Sequence, residues 1–172
     1  MEFNKVLETR YSVRDFKPTP VEEDKVEAIL NAVRLAPTAK NSQPHKIFVA
    51  KSEEALAKMD LVTPNRYGAP LAYLICGDNE RACILKSNGR NFMEVDVTIV
   101  QSFMMMKATE LGLGTCWIGR FNEAAAHEVF DIPANHILFG IMLIGYPSDE
   151  SLPSKMHGER LSPEEFTTIL ER

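Results

Sequence analysis

Cysteine is scarce in this chain. There are three, Cys76, Cys83 and Cys116, an odd number with no CxxC spacing among them. That excludes a disulfide framework and a zinc ribbon, and the apolar runs around Cys76 and Cys116 point to buried thiols. Basic excess is missing too. The formal net charge is −5, which leaves no overall footprint for nucleic acid or for an anionic membrane. The longest apolar run, residues 137–144, is far too short to span a bilayer. The opening Met1-Glu2-Phe3-Asn4-Lys5 lacks the apolar stretch of a signal peptide, so a cytoplasmic location is expected. Histidines 45, 127, 136 and 157 are scattered without ligand spacing, and no metal site is expected. GxSxG, the Walker loop and HExxH are all absent, as are repeats, low-complexity tracts and linkers.

What is present is ordinary globular composition. With 172 residues, 45% hydrophobic and 25% charged, the chain is expected to form a single domain, residues 1–172, with a sizeable core. Thr19-Pro20-Val21-Glu22 reads as a capping box that opens a helix. Val26, Ile29, Leu30 and Val33 then form its apolar stripe, and Pro37 prevents it from running on. Residues 46–50 and 71–77 read as strands, with a helix capped by Ser52 between them through about Met59.

The longest helix is predicted from about Phe92 to Leu111, closed by Gly112. It is apolar on nearly every side, which predicts burial all round, in a large core or against a partner. A strand over 115–118, a helix over 123–130 and a central strand over 137–144 follow. A second capping box at Ser162-Pro163-Glu164-Glu165 starts a last helix to Leu170. The order is ααβαβ, then αβαβα: a mixed α/β or α+β fold in three layers, with helices on both faces of a sheet.

Three segments are candidates for chemistry. In Arg10-Tyr11-Ser12-Val13-Arg14-Asp15-Phe16, an extended backbone puts Arg10, Ser12 and Arg14 on one face, and a helical one makes the arginines i, i+4 neighbours. Either way two guanidiniums can converge on one dianionic group, phosphate being well matched to the planar fork of arginine. The plainer alternative is two solvated arginines, paired with Asp15 or Glu8. Ala36-Pro37-Thr38-Ala39-Lys40-Asn41-Ser42-Gln43-Pro44 is a polar loop pinned by prolines, longer than most helix-to-strand connections. Half of its polar residues could instead satisfy the end of the preceding helix. Gly112-Leu113-Gly114-Thr115-Cys116-Trp117-Ile118-Gly119 contains a GxG, but Trp117 stands where a dinucleotide fingerprint needs its third glycine. Gly112 and Gly114 have ordinary capping and turning roles. Gly119, after a buried strand, would let a flat ligand approach the backbone.

Together and in this order, these three segments resemble the nitroreductase-like FMN-dependent oxidoreductase family, and Glu159-Arg160-Leu161 looks like its late phosphate-binding arginine. The resemblance spans nearly the whole chain. It implies a three-layer α+β fold with a central, mostly antiparallel sheet flanked by helices and a long buried dimer helix. By the same resemblance, Arg10, Ser12, Arg14 and Arg160 hold the FMN phosphate and ribityl chain, with Tyr11 adding backbone or ring contacts. Pro37, Thr38, Ala39 and Asn41 reach the flavin from the other subunit of a homodimer. Ile118 and Gly119 lie against the isoalloxazine, and Asn65 reaches its pyrimidine edge.

The implied activity is electron transfer from NAD(P)H, a transient donor, through FMN to nitroaromatics, quinones or similar small acceptors by a ping-pong scheme. No catalytic side chain and no metal is named. A flavin-binding protein without turnover, for storage or sensing, and a relative with other flavin chemistry, such as reductive dehalogenation or flavin breakdown, are the alternatives. Two departures stand out: little lies between Cys76 and Phe92, where longer members carry helices over the flavin, and His45 stands where tryptophan often follows Gln-Pro.

Overall fold

A computed structural model describes residues 1–170. At its centre β1 (His45–Ala50), β2 (Leu71–Asp78), β3 (Gly114–Ile118) and β4 (His136–Gly145) form an antiparallel sheet in the order β1-β2-β4-β3. The two inner strands carry the most continuous apolar runs, as strands covered on both faces must. Alternation then divides their side chains. Ala72, Leu74 and Cys76 enter one core with Leu138, Ile141 and Leu143, while Leu71, Tyr73 and Ile75 enter the other with Met142 and Ile144. Register runs evenly except for a bulge between Ile75 and Cys76.

Helices α3 (Glu53–Val62) and α5 (Glu123–Phe130) cover the first core, contributing Met59, Val62 and Ala126. The second is covered by α2 (Glu23–Leu35) and α4 (Met93–Glu110), with α1 (Phe3–Thr9) lying against α4. This is the expected three-layer α+β arrangement, with the elements in the expected order. Ser52 and Asn122 cap α3 and α5 by accepting from Ala55 N–H (3.2 Å) and Ala125 N–H (3.1 Å). Gly112, at φ +80°, closes the long helix as a left-handed C-terminal residue.

Two expectations are corrected. The Thr19 box does not form. Helix α2 starts at Glu23, and Glu22 is drawn away to accept from the Tyr146 hydroxyl (2.7 Å) and to pair with Lys25 (3.2 Å). The Ser162 box does form, but α6 ends after one turn (Pro163–Phe166), and Ile169 and Leu170 are exposed, at 84% each. As for α4, its own chain covers only one side of it. Val97, Val100, Met104 and Ala108 face the core, whereas Val95 and Phe103 stay exposed, at 41% and 39%.

One polar group is out of place beneath the sheet. Gln101 of α4 is fully buried beside Gly140 and Trp117, and among the described residues both its amide oxygen and its nitrogen lack a hydrogen-bond partner. An unpartnered buried amide costs about 1–3 kcal/mol. Gln101→Met, which conserves volume, is therefore expected to raise the free energy of unfolding by about 1 kcal/mol. Urea titration checks this, and a loss of stability would show that the amide is satisfied.

Candidate functional site

Helix α1 stops at Arg10, whose backbone is already extended (φ −62°, ψ 127°). From there the chain runs alongside β3. Ser12 bridges in parallel to Thr115, Val13 N–H donates to the Thr115 carbonyl (2.9 Å), and Lys17 N–H donates to the Tyr146 carbonyl (2.8 Å). Val13 and Phe16 turn into the core, while Arg14 faces solvent and Arg10 is half-buried. Glycine at 114 makes the close approach possible, since a Cβ there would sit 2.6 Å from the Val13 side chain. The extended alternative for this segment is the one realised.

Neither arginine forms an ion pair among the described residues, and the Asp15 carboxylate is taken instead by the Ser148 hydroxyl. The optional ion pairs with Asp15 or Glu8 are thus not formed among the described residues, and both guanidiniums remain available to a ligand or to solvent. Arg14 lies close enough to Cys116 for its charge to oppose the upward push of burial on that thiol. Burial, with Glu123 adding a smaller effect, pushes Cys76 up to about 12. The cysteines on the sheet are packing residues, not nucleophiles.

Tyr11 ties the C-terminal segment to this strip. Its hydroxyl donates to the Ser151 carbonyl (3.2 Å), and its ring meets His157 edge-on at 6.3 Å between centroids. Arg160 follows three residues later, exposed, with its guanidinium bonded to the Glu159 carbonyl (2.8 Å).

At the far end of β3 the Ile118 side chain is core, so the backbone is what Ile118 offers to a ligand. Gly119 is exposed. A Cβ there would meet nothing within 4 Å, and its φ lies outside the left-handed region, so nothing among the described residues requires glycine. Asn65 is held near this point by a residue that the sequence did not single out. Thr63, 1% exposed, donates to the Arg120 carbonyl (2.8 Å) and accepts from Asn65 N–H (3.2 Å). Asn122 N–H closes the same seam onto the Val62 carbonyl (2.8 Å).

The loop after α2 is a tight, strained turn. Residues Ala39–Asn41 form one turn of 3₁₀ helix, and Lys40, Asn41 and Gln43 are left-handed, at φ 52°, 54° and 47°. Thr38 holds it from inside, its carbonyl accepting from Asn41 N–H (2.9 Å) and its hydroxyl from Gln43 N–H (3.0 Å). Asp96, in the first turn of α4 and 1% exposed, accepts from Ala39 N–H (2.7 Å) and from the Ser42 hydroxyl (3.3 Å). Sequence reasoning passed over Asp96, which shares the first turn of α4 with Glu94 and is set apart from it by these two partners.

Arg10, Tyr11, Ser12 and Arg14 thus lie on the strip that meets the Gly114–Thr115 end of β3, while Ile118, Gly119 and Asn65, held by Thr63, lie at its other end. Pro37, Thr38, Ala39 and Asn41 are elsewhere. Their loop feeds β1, at the opposite sheet edge from β3, three strand spacings or about 14 Å away.

Comparison with known proteins identifies the fold and the family. The model of the "Nitroreductase family" fits residues 7–69 and 64–146. A nitroreductase family protein of Clostridium difficile 630 is 34% identical, with 98% of each chain covered and a TM-score of 0.90. Another, from Clostridium novyi NT, is 29% identical over 87% of each chain, at a TM-score of 0.76. An FMN reductase [NAD(P)H] of Bacillus subtilis is 29% identical over 87% of this chain and 68% of its own.

Proposed function

The chain belongs to the nitroreductase family, and from that premise we propose that it is an FMN-dependent NAD(P)H oxidoreductase, a single FMN-binding domain working as a homodimer. The observation that carries this reading is the pair of arginines, without an ion pair among the described residues, on the extended strip that bridges β3 at Thr115. FMN is a phosphate dianion joined by a polyol to a large flat ring, and the residues fit it in that order. The strip offers two guanidiniums and a hydroxyl for the phosphate end. Gly119 offers bare backbone to the ring, and Asn65 an amide for its polar edge.

When bound, FMN supplies the two-electron chemistry, taking electrons from NAD(P)H and passing them to a nitroaromatic, quinone or similar acceptor in ping-pong order. The chain binds and orients. Arg10, Ser12 and Arg14, with Arg160 swung in from the segment that Tyr11 holds, neutralise the phosphate. Pro37, Thr38, Ala39 and Asn41 complete the site of the other subunit, which accounts for their distance from the strip in one protomer. The exposed face of α4 supports the dimer. An open apolar groove of about 400 Å³ runs along it, lined by Phe3, Val6, Phe103 and Met106. An unpartnered face of this kind is characteristic of an interface.

The purified protein is expected to be yellow and, under anaerobic NADH or NADPH, to bleach. Absorbance in the visible flavin band checks both. A colourless protein that takes up no FMN would sink the assignment, and lasting yellow under both nucleotides would leave flavin binding without turnover.

A further inference from the structure

The turn at residues 38–43 is well knit internally but loosely joined to its surroundings. Among the described residues, the two hydrogen bonds that leave it both end on the Asp96 carboxylate, one from Ala39 N–H (2.7 Å) and one from the Ser42 hydroxyl (3.3 Å). These two residues flank Lys40 and Asn41, the left-handed pair at the tip. Asp96 has no ion-pair partner among the described residues despite being 1% exposed. A buried carboxylate without a cation is tolerated only where donors surround it. Here the N-terminal end of an 18-residue helix adds its dipole.

We infer that Asp96 is a positioning residue for the flavin site: it fastens the turn to the rigid start of α4 and so sets where Thr38, Ala39 and Asn41 meet the flavin held by the other subunit. The inference rests on the proposed function for its ligand, and on the two hydrogen bonds for its mechanism. A turn with three left-handed residues out of four positions is under local strain and relaxes when released. Because Asp96 occupies the Ala39 N–H and the Ser42 hydroxyl, the remaining edge of the turn is the one presented outward. Acceptor geometry is what the role requires. A carboxamide oxygen can still take the Ala39 N–H and its NH₂ can donate to the Ser42 oxygen, whereas alanine can do neither.

The test compares Asp96→Ala and Asp96→Asn with the wild type, using FMN itself. Three quantities are read: the FMN dissociation constant, the visible circular dichroism of bound flavin, and the rate of tryptic cleavage after Lys40, located by mass. Asp96→Ala is expected to weaken FMN binding about tenfold or more, alter the dichroic band and speed cleavage after Lys40, while Asp96→Asn stays within about threefold of wild type. A role confined to stability would leave the dichroism of the folded holoprotein unchanged. If Asp96→Ala does not fold, Ser42→Ala removes one of the two bonds and is expected to weaken FMN about threefold. Wild-type affinity and dichroism in the alanine variant, or no rescue by asparagine, overturns the inference alone. A wild type that takes up no FMN overturns the proposed function along with it.

Discussion

Replacing both Arg10 and Arg14 with alanine is expected to abolish FMN retention through purification while leaving the unfolding transition where it was. Each guanidinium donates to a charged phosphate in the proposed site, an interaction worth about 1.5–3 kcal/mol apiece. Losing both weakens binding by more than about a hundredfold even if the two effects overlap. The fold should not notice. Arg14 is exposed, Arg10 is half-buried, and neither is engaged in an ion pair among the described residues. Surface substitutions of that kind change stability by roughly 0.5 kcal/mol or less. Arg14→Lys keeps the charge but loses the planar fork, so it should fall between wild type and alanine. Fluorescence titration with FMN reads all three variants, and affinities equal to wild type would return the arginines to being solvated surface charge.

A bulky side chain at Gly119 is expected to separate binding from folding more sharply still. The Cβ position is empty to 4 Å and the backbone is not left-handed, and Gly119 is exposed, so Gly119→Val is expected to be accommodated by the chain itself. Any change in stability should be small, and removing a flexible glycine from the unfolded state tends to be favourable by about 0.4–1 kcal/mol. The ring of a bound flavin, in contrast, would be met by two methyl groups. Overpacking of that kind costs about 1–3 kcal/mol, or roughly ten- to a hundredfold in affinity. Paired measurements of thermal midpoint and FMN affinity decide the matter. A variant that binds FMN as tightly as wild type would show that the flavin does not lie against Gly119.

Much of the architecture was legible because local signals and burial agreed. The stripe of Val26, Ile29 and Val33 is buried as its spacing requires, and α5 begins at the residue after its Asn122 cap. Strand direction was not legible from alternation, since βα alternation by itself favours a parallel sheet. The antiparallel pairing came from resemblance. Where boundaries slipped, a long-range partner had intervened: the Tyr146 hydroxyl claims Glu22, which local sequence alone would give to a capping box. Of the proposed site, the arginines and Gly119 could be picked out in the sequence, because their type is unusual for their place. Thr63 and Asp96 could not, because their importance lies in partners at Arg120, Ala39 and Ser42 that only the folded chain brings near. The length of α4 could be read, but its exposed face could not, because a uniformly apolar sequence does not say which side meets the sheet.

The left-handed turn also bears on how this protein could be engineered. Lys40 and Gln43 adopt a conformation that disfavours side chains such as theirs by roughly 1–2 kcal/mol each, and glycine would adopt it freely. A screen for heat resistance would therefore find this turn early. Residues that rigid scaffolds hold in disfavoured conformations tend to sit where activity resists stabilisation. Variants selected at Lys40 or Gln43 for melting temperature alone would then drift away from turnover, and heat resistance and activity would have to be selected together.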